Sequence, residues 1–181
     1  MASKTERQAI DKVFILLGVM AVIVLLGGSA LGWYGYRFAT NEVRTELSAQ
    51  KVYFPPKGSS ALDPAEFPTL QKYAGQLVDN GPKAKAYAND FIAVHLQKVA
   101  AGKTYAEVST LALQNPSDPK LQQQKATLFQ GETLRGLLLG DGYAYWTFGM
   151  MALYASMSAL AAAAVMAMLV LLGVRHLRKN R

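Results

Sequence analysis

Val13–Tyr36 contains no Asp, Glu, Lys, Arg or His over 24 residues, and Gly142–Val174 contains none over 33. At about 1.5 Å of rise per helical residue, either stretch outruns a hydrocarbon core roughly 30 Å thick. Neither holds a proline. A chain with two such segments is constrained to place everything between them on one side of a bilayer. The expected fold class is an all-α membrane protein, with two transmembrane helices flanking an extracytoplasmic helical bundle. The expected organisation is residues 1–12 as a cytoplasmic tail, 13–36 as the first span, 37–141 as the outer domain, 142–174 as the second span and 175–181 as a basic cytoplasmic tail.

Charge sets the orientation. Arg175, Arg178, Lys179 and Arg181 crowd the end of the chain, and Lys4, Arg7 and Lys12 precede the first span. Short basic flanks stay cytoplasmic, whereas long segments translocate largely regardless of charge. The formal net charge of +7 divides as +1 for residues 1–12, +2 for 37–141 and +4 for 175–181. The basic balance therefore points to membrane anchoring and away from nucleic acid. Trp33, Tyr34 and Tyr36 close the first span while Tyr143, Tyr145 and Trp146 open the second. Both groups are expected at the outer interface, where such rings prefer to lie. Localisation in the cell membrane with both termini cytoplasmic follows. A cleaved signal peptide fits poorly, because its apolar region usually runs about 7–15 residues and ends in small ones.

The chain has no cysteine, which removes disulfides, thiolate metal sites and covalent haem attachment. The outer 105 residues are enough for a hydrophobic core instead. Arg37–Lys51 should carry the first helix outward, and Val52-Tyr53-Phe54 with Pro55–Ser60 should end it in an extended loop. Pro64 and Pro68 suggest a helix with Leu70, Tyr73, Ala74 and Leu77 on one face. Asn80-Gly81 then stops it, and Pro82 opens a helix to Ala101. In that helix Ala84, Tyr87, Ala88, Phe91, Ile92, His95 and Val99 form a stripe, with Gly102 closing it. Thr104 and Glu107 have capping-box spacing for a helix to about Gln114. Asp118-Pro119 is placed to cap a last outer helix, Lys120–Gln130. Gly131–Gly140 either lies near the interface, with Asp141 capping the second span, or simply continues that helix. No strand pattern is visible.

Catalytic chemistry is sparse. His95 falls in the outer domain and His176 in the tail across the membrane, so the two cannot meet on one metal. Phosphate loops, nucleophile elbows and paired carboxylate motifs are lacking. We expect no enzyme activity, no cofactor and no metal. His95 reads as a hydrogen-bonded interior histidine, and the scattered Asp63, Glu66, Asp79 and Asp90 as caps and solvated faces. Ionisable residues inside a span mark ion or proton pathways, and both spans lack them.

What the spans offer is packing surface. Gly28 and Gly32 form a GxxxG pair followed by Gly35, and Ala155, Ala159, Ala163 and Ala167 recur every four residues beside Ala152 and Ser156. Small residues at this spacing let helix backbones approach closely. Met150, Met151, Met157, Met166 and Met168 read as adaptable lipid or partner contacts. In the outer region Val52, Tyr53 and Phe54, with Leu134, Leu137 and Leu138, are the expected docking residues.

Phe67–Gly81 (FPTLQKYAGQLVDNG), Lys83–His95 (KAKAYANDFIAVH), Gly102–Val108 (GKTYAEV) and Leu128–Leu139 (LFQGETLRGLLL) resemble a small family of two-span envelope proteins of actinobacteria. The matching segments cover under half of the chain and carry no catalytic signature. Members have sometimes borne a ring-opening dioxygenase label, which the histidines here contradict. The lack of a cytoplasmic domain and of a catalytic constellation, with two packing-competent spans framing a helical outer domain, leads us to expect an accessory subunit. By architecture only, actinobacterial respiratory supercomplexes joining a cytochrome bc complex to an oxidase resemble suitable hosts. Its partners would be integral membrane subunits of the respiratory kind, and the lipid bilayer. The competing expectation is an envelope sensor or ligand-binding module built on the outer bundle.

Overall fold

A computed structural model of the chain describes residues 4–179. Its regular structure among those residues is helical: α1 Lys4–Ala49, α2 Gly81–Ala86, α3 Ala93–Val99, α4 Tyr105–Gln114, α5 Pro119–Leu137 and α6 Tyr145–Lys179. Short 3-10 turns at Ser60–Leu62 and Pro68–Tyr73 fill the long loop. Wider π-helical segments, Tyr87–Ile92 and Leu138–Ala144, join α2 to α3 and α5 to α6. Two helices are long and apolar enough to cross a membrane: α1, and the unbroken run Pro119–Lys179. The chain divides into two compact units, one of residues up to Phe38 with those from Gly149 on, the other Ala39–Phe148.

The Ala39–Phe148 unit has a conventional core. Val43 and Leu47 from α1 join Phe54, Leu62, Phe67, Leu70, Val78, Ile92, Leu96, Val108, Leu128 and Leu138, all buried. Local chemistry starts α2, α4 and α5. The Asn80 side chain accepts from Lys83 N at 3.0 Å, and Asp118 accepts from Lys120 N and Leu121 N. Thr104 and Glu107 form the expected box, with Thr104 N donating to Glu107 Oε2 at 2.7 Å and Glu107 N to Thr104 Oγ1 at 3.3 Å. Each satisfies amides that a helix start leaves without a partner.

The structure departs from expectation first in the loop. The segment after Pro64 is no α-helix: only the Pro68–Tyr73 turn forms. Gly75 takes φ +70°, which ends the turn before a helical nucleus is repaid. Leu77 instead pairs with Tyr53 in an isolated antiparallel bridge, and no strand forms among the described residues. Phe54 N donates to Gln76 O at 2.9 Å and Val78 N to Val52 O at 2.8 Å around it.

The stripe on the helix after Gly81 also shifts. Ala88, Ile92, Leu96 and Ala100 are buried while Val99 is 38% exposed. The π-helical segment is the cause, because its wider turn adds a residue and rotates every later side chain relative to a 3.6 repeat. The Ala93 amide reaches back five residues to Ala88 O, as a π turn requires.

Of the two readings of Gly131–Gly140, continuation of the helix past Gln130 is the one the structure shows. It runs through Gly131–Gly140, and Asp141 lies inside a helical segment, where it caps nothing. Gly131 is no breaker; a Cβ there would meet the buried Leu96 side chain at 2.5 Å. Its missing side chain permits close approach of α5 to α3. Gly81 does the same against Trp146, and Gly142 against Ala84. These contacts place Gly142–Phe148, the start of the expected second span, within the compact unit.

Candidate membrane and interaction surfaces

In the other unit the two apolar segments pack antiparallel. Ile15 meets Gly173, Gly18 meets Val170, Gly32 meets Ala152 and Ser156, and Gly35 meets Ala152. From Ile15 to Gly35 the seam covers about 30 Å of helix, the thickness of a hydrocarbon core. A buried polar contact in it joins two serines. Ser156 Oγ donates to Ser29 O at 2.7 Å and lies 3.2 Å from Ser29 Oγ. Such bonds contribute on average about 0.6 kcal/mol in membrane proteins, so close backbone packing matters at least as much.

The small residues singled out from sequence divide. A Cβ on Gly32 would lie 3.0 Å from the Ala152 carbonyl oxygen and from Ser156 Cβ, and one on Gly35 would make an ordinary 3.7 Å contact. Gly28 has nothing within 4 Å. Ala163 is buried, Ala159 and Ala167 are half-buried, and Ala155 is exposed. The seam thus runs on the Ser156–Ala163 row, with Ala155 turned away. The methionines divide as well: Met151, Met157 and Met168 are exposed, Met150 and Met166 half-buried.

Among the aromatic residues, Trp33 and Tyr34 are exposed, and Trp33 and Tyr36 have ring centroids 5.6 Å apart. Tyr145 is exposed, Tyr143 carries Lys85 Nζ 4.6 Å above its ring, and Trp146 packs on the core of its unit. Arg175, Arg178 and Lys179 are exposed at the end of α6, while Arg181 lies outside the described residues.

Of the expected docking residues, Phe54 and Leu138 are interior, each 1% exposed, and are unavailable to a partner while the unit is folded. Val52 and Leu134 are half-buried against the same core. Tyr53 and Leu137 alone of the six are exposed.

His95 belongs to an aromatic interior. Its ring stacks on Phe67 at 5.6 Å and 4°, and its Nδ1 lies 3.0 Å from Phe91 O. A carbonyl can only accept, so Nδ1 is the donor in this bond. Tyr73, Phe54, Tyr87 and Phe91 continue the aromatic cluster, in stacked, edge-on and tilted pairs with centroids 5.0–5.2 Å apart. Burial pushes the Tyr87 phenol pKa up, so it is neutral at physiological pH. Among the described residues no three His, Cys, Asp or Glu side chains converge to hold a metal ion.

Sequence reasoning passed over one polar clamp. Arg135 Nε donates to Ala88 O at 3.1 Å, Nη2 to Asn89 Oδ1 at 3.3 Å and Nη1 to Glu132 Oε2 at 2.7 Å. It ties α5 to the π turn. A lone Arg in an otherwise apolar Leu134–Leu139 segment was its only sequence signal. No protein-family model, curated protein or solved structure matches this chain.

Proposed function

We propose that the chain is a non-catalytic integral-membrane accessory subunit of a larger membrane complex, with Ala39–Phe148 outside the cytoplasm and both termini inside. The observation that carries this is the set of small residues the seam leaves unused. Gly27 and Gly28 have open space beside them, and Ala155, Ala161, Ala162 and Ala164 are exposed. Lipid tails do not require small side chains, whereas a closely packed partner helix does. Exposed Tyr53 and Leu137 supply apolar contacts for the outer part of the same partner. By architecture alone, the host proposed is an actinobacterial respiratory cytochrome bc–oxidase supercomplex.

The test is purification in mild detergent through a C-terminal tag, with mass spectrometry of what stays bound. Respiratory subunits at fixed ratio support the proposal. Another fixed set of membrane subunits keeps the accessory role and replaces the host, and a clean monomer or homodimer sinks both.

One observation favours an envelope ligand-binding module instead. A cleft of about 290 Å3 is lined by Lys72, Tyr73, Lys85, Asn89, Asp90 and Tyr143 among others. A thermal shift of the detergent-solubilised chain with a small anionic solute, lost in Lys85→Gln, would support that second reading.

A further inference from the structure

Beside the Gly18–Val170 and Gly173–Ile15 contacts runs a groove of about 530 Å3, lined by Phe14, Ile15, Met166, Leu169, Val170 and Leu172, with Asp11 and His176 at one end. Its volume falls in the roughly 300–1,000 Å3 range of ligand sites. Along α6 it extends from Met166 to His176, about 15 Å of helix, which is half of a hydrocarbon core and therefore one leaflet deep. The polar end is also the basic end. Arg7 lies one turn before Asp11 on the same face of α1, and Lys179 one turn beyond His176 on the same face of α6. Lys12, Arg175 and Arg178 flank them, so five basic residues stand there against Glu6 and Asp11. Arg7, Lys12, Arg175, Arg178 and Lys179 are all exposed.

We infer that this groove seats an acyl chain of one anionic phospholipid, whose headgroup is held by the basic residues at the Asp11–His176 end. The apolar lining matches the chain, the depth matches a single leaflet, and the excess of positive charge selects the headgroup. Each basic residue near a membrane surface strengthens anionic-lipid binding about fivefold. Asp11 opposes the anion, which is why the residues beyond it, Arg7 and Lys179, dominate the contact. The inference rests on the membrane-spanning part of the proposed function and adds a ligand to it.

The full chain would be reconstituted into vesicles of equal phosphatidylglycerol and phosphatidylcholine, released in mild detergent and weighed by native mass spectrometry. One retained phosphatidylglycerol in preference to phosphatidylcholine is expected. The double variant Arg7→Gln/Lys179→Gln should lose that preference by roughly tenfold or more, and Leu172→Trp should displace the lipid by filling the groove. Equal retention of both lipids overturns the inference, as does a preference that survives both variants. Failure of the chain to resist alkaline extraction from the vesicles overturns the membrane reading itself, so the two failures are distinguishable.

Discussion

Ser156 donates its hydroxyl to the backbone carbonyl of Ser29 across 127 positions of sequence, with both side chains buried. One turn along, Gly32 touches the Ala152 carbonyl. The seam thus fixes which glycine matters to the hairpin and which is left for something else. Gly32→Ile must force the helices apart, and overpacking of this kind costs about 1–3 kcal/mol. Gly28→Ile meets open space and should leave the hairpin intact. The check is thermal unfolding of both variants in detergent beside co-purification. We expect a lower Tm for Gly32→Ile alone, and loss of bound partners with an unchanged Tm for Gly28→Ile. Retained partners in Gly28→Ile would remove the glycine face from the partner contact.

Arg135 is a structural latch. Truncation to Met keeps the aliphatic stem but strips the donors from Ala88 O and Asn89 Oδ1. Hydrogen bonds from charged groups contribute about 1.5–3 kcal/mol each, so Arg135→Met should lower the stability of this unit by roughly 2 kcal/mol or more. Arg135→Lys should not restore it, because one ammonium cannot reproduce the planar fork. Hydrogen exchange should report the loss first at Tyr87–Ile92. Unchanged exchange there would show the clamp to be dispensable.

The reciprocal Thr104–Glu107 cap gives a pH signature. Hydrogen bonds from the Thr104 backbone amide, then from its hydroxyl, hold the Glu107 carboxyl below its ordinary range. A depressed folded-state pKa means the carboxylate stabilises fully above the unfolded-state value. That contribution is lost as pH falls through the lower, folded-state value. Stability should therefore fall on acidification through the carboxylate range, less steeply in Glu107→Gln. Thermal unfolding from pH 7 to pH 3 checks this, and parallel wild-type and variant profiles would contradict it.

What the sequence made legible was local or compositional. Thr104 with Glu107, and Asp118, cap helices through bonds spanning two or three residues, and the two apolar lengths need only counting. Asn80, which reads as the stop of a preceding helix, caps the one that follows. The other misses are long-range. The π turn at Tyr87–Ile92 receives Arg135 from 47 positions away, and it moves the buried face from Val99 to Leu96 and Ala100. Gly131 resembles a helix stop until Leu96 is seen against it. Phe54 and Leu138 looked like sticky surface because nothing in their own segments says that a core awaits them. The alanine repeat was visible, but which row faces α1 depends on the rotation that Ser29 and Gly32 impose.

Topology can be tested cleanly because the chain contains no cysteine. Lys57, in the loop after Pro55-Pro56, and Arg178, near the end of α6, are both exposed. Single Lys57→Cys and Arg178→Cys variants therefore report one side of the membrane each, with no background thiol in the protein. Intact cells treated with a membrane-impermeant maleimide should label Lys57→Cys and leave Arg178→Cys unmodified until permeabilised. The basic flanks demand this result, since translocating the cluster of Arg175, Arg178 and Lys179 would oppose the charge rule that orients short segments. The reverse pattern would put Ala39–Phe148 in the cytoplasm. It would also move the lipid groove to the outer leaflet, away from the anionic surface its basic rim fits.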